Sequence, residues 1–300
     1  MSEDTYYFLV DLLQYLINGL SQGSIYALVA LGYTMVYGII KLINFAHGEF
    51  YMIGAFLGYF ASTVLKLPSL LVVLFSMILT AIFAVIIERL IYRPLRKASR
   101  VSALITALGT SLFIQYFTQI SIGADPRPFP DLAQQKTYVF GEIYLTSTQL
   151  IIFASTTILM LSLWFLVKKT KMGKAMRATS FSTEAAELMG IDSNKIISLT
   201  FFIGAALAAA AGILVGMYYN SIEPMMGMIP GLKAFIAAVL GGIGSIPGAM
   251  LGGILLGVIE NLVVGLWNGT YRDAIAFVLL IVILLVKPSG LLGKNIKEKV

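Results

Sequence analysis

The chain has 300 residues, of which 58% are hydrophobic and only 12% charged, whereas a soluble domain carries about a quarter charged residues. So few charges cannot clothe a water-facing surface, and several apolar runs approach the roughly 20 residues that cross a bilayer. With no cysteine and one histidine, disulfides, thiolate zinc sites and cysteine nucleophiles are excluded, and the net charge of +6 reads as Lys and Arg collected in cytoplasmic loops rather than as a nucleic-acid footprint.

In chain order, the N-terminus reads Met-Ser-Glu-Asp and has no Lys or Arg before Lys41. It lacks the positive region of a secretory signal, so no cleavage is expected. Within residues 1–21, Asp11, Gln14 and Asn18 recur at helical spacing, with Phe8, Leu12, Tyr15 and Leu16 elsewhere on the helix. That pattern suits an interfacial amphipathic helix, or a further span carrying a polar stripe into a bundle. Apolar segments follow near 22–40, 47–65, 69–88, 101–120, 149–167, 197–217, 231–243, 249–267 and 274–286. Lipid tolerates no unpaired backbone groups, so these are expected as helices. The expected fold is all-α: a single polytopic transmembrane bundle over 1–300, with about 8–10 membrane segments and broken or re-entrant helices among them.

The loops differ in charge. Arg89, Arg93, Arg96, Lys97 and Arg100 follow the third segment. Lys168, Lys169, Lys171, Lys174, Arg177 and Lys195 follow the fifth, and Lys287, Lys294, Lys297 and Lys299 end the chain. By the positive-inside rule these loops, and the C-terminus, are cytoplasmic. The opposite loops are nearly neutral: Lys66; Asp125, Arg127, Asp131, Lys136 and Glu142; Glu223; Arg272 and Asp273. Nine alternating crossings satisfy this pattern. The parity rests on 231–243, which is short and ends in glycines.

Small residues recur every fourth position at Gly204, Ala208, Gly212 and Gly216, at Gly244, Gly248 and Gly252, and at Gly253, Gly257 and Gly265 with Asn261 between them. This spacing lets helices approach closely in lipid, either as ordinary packing or as a seam that moves. The stretch 240–249, LGGIGSIPGA, is the least helix-like part of an apolar region. It reads as a break with free backbone along a substrate path, through Gly241, Gly242 and Gly244, or as a tight turn with Pro247 opening the next helix. The loop 168–197 contains a short helix: Ser182 or Thr183 as N-cap, Glu184 in the first turn, Gly190 as terminator, then Asp192 or Ser193 capping the next span. Glu88 sits near a membrane end, where its neighbour Arg89 would neutralise it. Glu260, beside Asn261 deep in the eighth segment, is a candidate for the translocation path because a buried carboxylate is expensive; it could equally face a polar neighbour. His47 with Glu49 is too little for a metal site or a triad, and a hydrogen-bonded structural role at a helix junction is expected. There is no phosphate loop and no dinucleotide fingerprint, so no ATP, Mg or other cofactor is expected on this chain.

The run NGLSQGSIYALVALGYTMVYGIIKLINFAHGE, from Asn18 to Glu49, resembles the N-terminal signature of bacterial branched-chain amino-acid ABC transporter permeases, specifically the shorter of two paired permeases. IERLIYRPLR (87–96), GID (190–192), KAFIAAVLGGIGSIPGAM (233–250) and LVKPSGLLG (285–293) extend the resemblance along the whole chain. The resemblance implies an inner-membrane complex. A second homologous permease completes the pore, two cytoplasmic ATPases bind ATP and Mg, and a periplasmic binding protein delivers leucine, isoleucine or valine. It also implies that Glu184, Ala185, Ala186 and Gly190 belong to the ATPase-coupling loop, although the Ile-x-Leu-Pro ending of the wider pattern is absent. Relatives of this type serve urea, short amides or other amino acids, and a stand-alone ion-coupled transporter using Glu260 is a further alternative. An intramembrane enzyme lacks the residues it would need.

Overall fold

The computed structural model describes residues 3–42, 44–96 and 98–293. Met1 and Ser2, Lys97, and the tail lysines Lys294, Lys297 and Lys299 lie outside them. The elements are α1 (Glu3–Ile40), α2 (His47–Thr63), α3 (Ser69–Ile87) continuing through a π turn (Glu88–Tyr92) into α4 (Arg93–Leu95), and α5 (Arg100–Ile122). After β1 (Arg127–Pro128), β2 (Thr137–Phe140) and β3 (Ile143–Thr146) come α6 (Ser147–Lys169), α7 (Lys171–Phe181), α8 (Thr183–Leu188) and α9 (Ser193–Tyr219). Finally β4 (Ser221–Ile222) precedes α10 (Met228–Gly241), α11 (Ile246–Leu266), a 3-10 turn (Gly269–Tyr271) and α12 (Arg272–Val286). Among the described residues seven helices are long and apolar enough to cross a membrane. The protein is a multi-pass helical membrane bundle. Its described strands form only two small antiparallel ribbons, β2 with β3 and β1 with β4.

The boundary expected at residue 21 is absent. α1 runs unbroken for 38 residues, about 57 Å at 1.5 Å per residue, against a hydrocarbon layer of roughly 30 Å. No proline interrupts it. Gly19 and Gly23 do not bend it, because they lie hard against Val258 and Ile254 of α11. Two of its three polar positions face protein while Asp11 is exposed: Gln14 exchanges hydrogen bonds with the Tyr144 backbone at 2.9 and 3.1 Å, and Gln149 Nε2 donates to Asn18 Oδ1 at 2.9 Å. Residues 3–21 are the leading part of one long helix, not a separate interfacial element.

The seventh segment is a short helix that ends in glycine, as its sequence indicates. α10 has 14 residues, about 21 Å, and stops at Gly241 because Gly242 turns the chain at φ 104°. It lies beside the second half of α1, with Gly231 near the Tyr33 hydroxyl and Gly244 facing Gly38. α2, at 17 residues, is short too. The starts of both short helices meet where Gly48 abuts Gly227 and Gly231.

α1 and α9 form the centre. Every residue from Ser21 to Val36 is buried, as is every residue from Leu207 to Gly216. A methyl group on Gly212 would strike the Tyr51 carbonyl, and one on Gly216 would lie 2.7 Å from the Phe129 ring. Around this core α3, α5, α6 and α12 turn large apolar side chains outward, among them Leu70, Ile105, Phe165 and Leu285.

Candidate functional site

At the end of the bundle that carries the basic loops, α7 and α8 follow α6. The Ser182 hydroxyl accepts from the Ala185 amide at 3.2 Å and starts α8. Gly190, at φ 81°, ends the turn, and Asp192 then caps α9 by accepting from the Lys195 amide at 3.1 Å. That amide bond, helped by the Lys195 ammonium at 3.2 Å, holds the Asp192 carboxyl below the usual carboxylate range. Ala186 is buried, while Glu184, Ala185 and Gly190 are exposed. Phe181, Leu188 and Met189 are 94%, 88% and 81% exposed. Three such side chains around a short polar helix make an apolar patch of the kind that marks a contact surface.

The loop is anchored through α9. Ser198 Oγ donates to Glu88 Oε2 at 2.6 Å. Arg96 pairs with Glu88 Oε1 and donates to Asn194 Oδ1 at 2.8 Å. The partner of Glu88 is therefore Arg96 rather than Arg89. Sequence neighbours on a helix do not face each other, and the π turn and α4 carry Arg96 back over the fully buried Glu88.

The stretch 240–249 is a tight turn between antiparallel α10 and α11. Ser245 Oγ accepts from the Gly248 amide at 3.2 Å, and Pro247 lies in the first turn of α11. A methyl on Gly241 or Gly248 would collide with the other's backbone, and one on Gly252 would strike the Ala237 carbonyl. The amides of Leu291 and Leu292 donate to the carbonyls of Leu240 and Gly241, each at 2.9 Å. The backbone of Gly241 and Gly242 is thus covered by the chain's own 288–293 segment. Gly244 faces Gly38 with space between them.

Glu260 is fully buried and partnered. Lys233 Nζ lies 2.9 Å from its Oε1 and 2.7 Å from Asp273 Oδ1. Tyr26 donates to Glu260 Oε2 at 2.9 Å, and Arg272 Nε stands 3.4 Å from the same oxygen. Tyr219 extends the network to Gln22 at 2.9 Å. Two cations and two carboxylates from α10, α11 and α12 cancel, with α1 and α9 supplying hydroxyl and amide. Asn261 donates back to the Gly257 carbonyl at 2.9 Å. Sequence reasoning passed over Lys233 and left Arg272 and Asp273 in an outer loop. The available signal was a lone lysine inside an apolar run, which demands a partner.

His47 is buried at the crossing of α1 and α9. Gly32 and Gly204 make room for its ring, and Tyr33 stacks edge-on at 4.7 Å between centroids.

Residues 15–284 match the family model described as the permease component of a branched-chain amino acid transport system. The chain is 47% identical over 301 residues to the high-affinity branched-chain amino acid transport system permease protein BraD of Pseudomonas aeruginosa, covering 96% of this chain and 98% of that one. It is 43% identical over 313 residues to the corresponding LivH of Escherichia coli, covering both chains completely. Among solved structures, PsaBC from Streptococcus pneumoniae in complex with Fab shares the fold, with a TM-score of 0.52 at 15% identity over 92% of each chain.

Proposed function

This chain belongs to the family of branched-chain amino acid transport permeases, and from that premise we propose that it is the membrane-spanning permease subunit of an ATP-driven ABC importer for leucine, isoleucine and valine. The observation that carries the coupling role is α8: a short helix, capped at both ends, with Phe181 at the end of α7, Leu188 at its own end and Met189 just after it exposed to solvent. Glu184, Ala185 and Gly190 form the contact with an ATPase, with Ala186 buried beneath them, and ATP and Mg are bound by the partner rather than by this chain. A second, homologous permease completes the pore, two ATPases sit beneath, and a periplasmic binding protein delivers substrate. The complex lies in the bacterial inner membrane with the C-terminus of this chain cytoplasmic, an orientation supported by the basic loops at the α7–α8 end.

Purification of the tagged chain from its host, with mass spectrometry of the bound chains, tests this. The expected result is a second permease and two ATPases, and ATP-dependent leucine uptake by the reconstituted complex. A chain that purifies alone and transports in ATP-free liposomes would overturn the reading.

A further inference from the structure

Outside the sites above, one carboxylate is left half used. Glu49, in the first turn of α2, is 1% exposed. Its Oε1 accepts from Ser111 Oγ of α5 at 2.9 Å, while its Oε2 has no partner. A methyl group on Gly227 would lie 3.0 Å from that oxygen, so Oε2 faces the cap of α10, whose Gly227 brings no side chain to the helix N-terminus. The positive end of a helix favours an anion there. Among the described residues Glu49 makes no ion pair; the buried Lys233 serves Glu260 and the half-buried Arg96 serves Glu88. Gln115 Nε2, one turn beyond Ser111 on α5, is buried and unpartnered as well, as is Thr80 Oγ1 on α3. Buried polar atoms are nearly always satisfied. The free Glu49 oxygen, on a helix that α5 touches, therefore calls for a partner that the chain does not supply.

We infer that the polar seam between α2 and α5 binds the ammonium group of the permeating substrate, with Glu49 as its receptor. This rests on the permease reading and adds where the substrate's charge is held. A primary ammonium offers three donors and one positive charge, which complement a carboxylate with one free oxygen. Neutral substrates such as urea would gain much less from a buried carboxylate, so the seam selects for an amino acid. α5 can give access to it. Its main contacts are with α2 and the π turn, and its other face, with Phe113 and Phe117, is exposed. Displacing α5 opens the seam without disturbing α1 and α9.

The chain contains no cysteine, so Glu49→Cys places one thiol in it. In the reconstituted complex, a positively charged methanethiosulfonate is expected to label that thiol, as located by mass spectrometry, in at least one nucleotide state. Leucine-loaded binding protein should slow the labelling. Glu49→Gln should lower leucine uptake at least ten-fold with the complex still assembled on gel filtration, and Glu49→Asp should restore part of the rate. If Glu49→Cys fails to assemble, Ser111→Cys is expected to give the same labelling and protection. A thiol unlabelled in every nucleotide state, or uptake by Glu49→Gln at the unmodified rate, would overturn the inference. Absence of leucine uptake by the unmodified complex would instead defeat the permease reading on which it rests.

Discussion

Two helix seams in this bundle are built on opposite plans. Between α1 and α11 the backbones touch: a methyl on Gly253 would strike Ala27, and one on Gly257 would strike the backbone of Gly23. Between α2 and α5 the link is the polar contact of Glu49 with Ser111, and unpartnered polar atoms lie beside it. In lipid no hydrophobic force drives helices together, so association depends on close packing and on polar contacts. The first seam has the packing of a fixed contact. The second is held by one polar tether, which a part that opens can release.

The largest effect should come from breaking the first seam. Gly257→Leu is expected to remove most of the monodisperse protein in detergent, because overpacking costs about 1–3 kcal/mol or more where backbones already touch. Gly109→Leu on α5, where nothing lies within 4 Å, should leave the yield of the isolated chain unchanged. Equal losses from both would erase the contrast between the seams. Next comes the ionic network at the far end of the α1–α11 seam. Lys233→Met leaves Glu260 short of its main cation, a loss of about 3–5 kcal/mol for a broken buried pair, read as a fall in detergent melting temperature. The double change Lys233→Met with Glu260→Met should recover most of it. Glu88→Gln keeps the Ser198 contact but discards the charge, so a smaller loss of about 1.5–3 kcal/mol is expected, with weaker stimulation of the ATPase by loaded binding protein. The smallest effect concerns Asp192. Its folded pKa is depressed, chiefly by the Lys195 amide. The cap's contribution is therefore complete above the ordinary carboxylate pKa of about 3.9 and falls away as pH drops through the folded value. Hydrogen exchange at the Lys195 amide measures this, and protection lost already at neutral pH would contradict it.

Much of this was readable in the chain. Ser182, Gly190 and Asp192 mark the ends of α8 and the start of α9 by local chemistry, since a cap bonds to amides two or three residues away. The small residues of α9 and α11 have a visible period of four. Partnership across the bundle was not readable. Lys233 and Glu260 are far apart in sequence and meet only through the α10–α11 turn. Arg96 displaces Arg89 because a π turn, which has no simple sequence signature, resets the helix phase. The continuity of α1 was obscured because its polar stripe suits a lipid surface as well as it suits the β2–β3 hairpin. Glu49 was in plain view beside His47, yet what distinguishes it is an oxygen without a partner, and only coordinates reveal that.

The bonds from Leu291 and Leu292 to Leu240 and Gly241 have a consequence for biosynthesis. A helix leaves its final carbonyls unsatisfied, and those of α10 find donors in residues synthesised about fifty positions later, a delay of roughly 3–10 s at 5–20 residues per second. While the ribosome works through α11 and α12, the end of α10 is incomplete. Water or an insertion factor must shield it until the closing segment arrives. Nascent chains released between residues 266 and 288 should accordingly be the ones that membrane quality control removes.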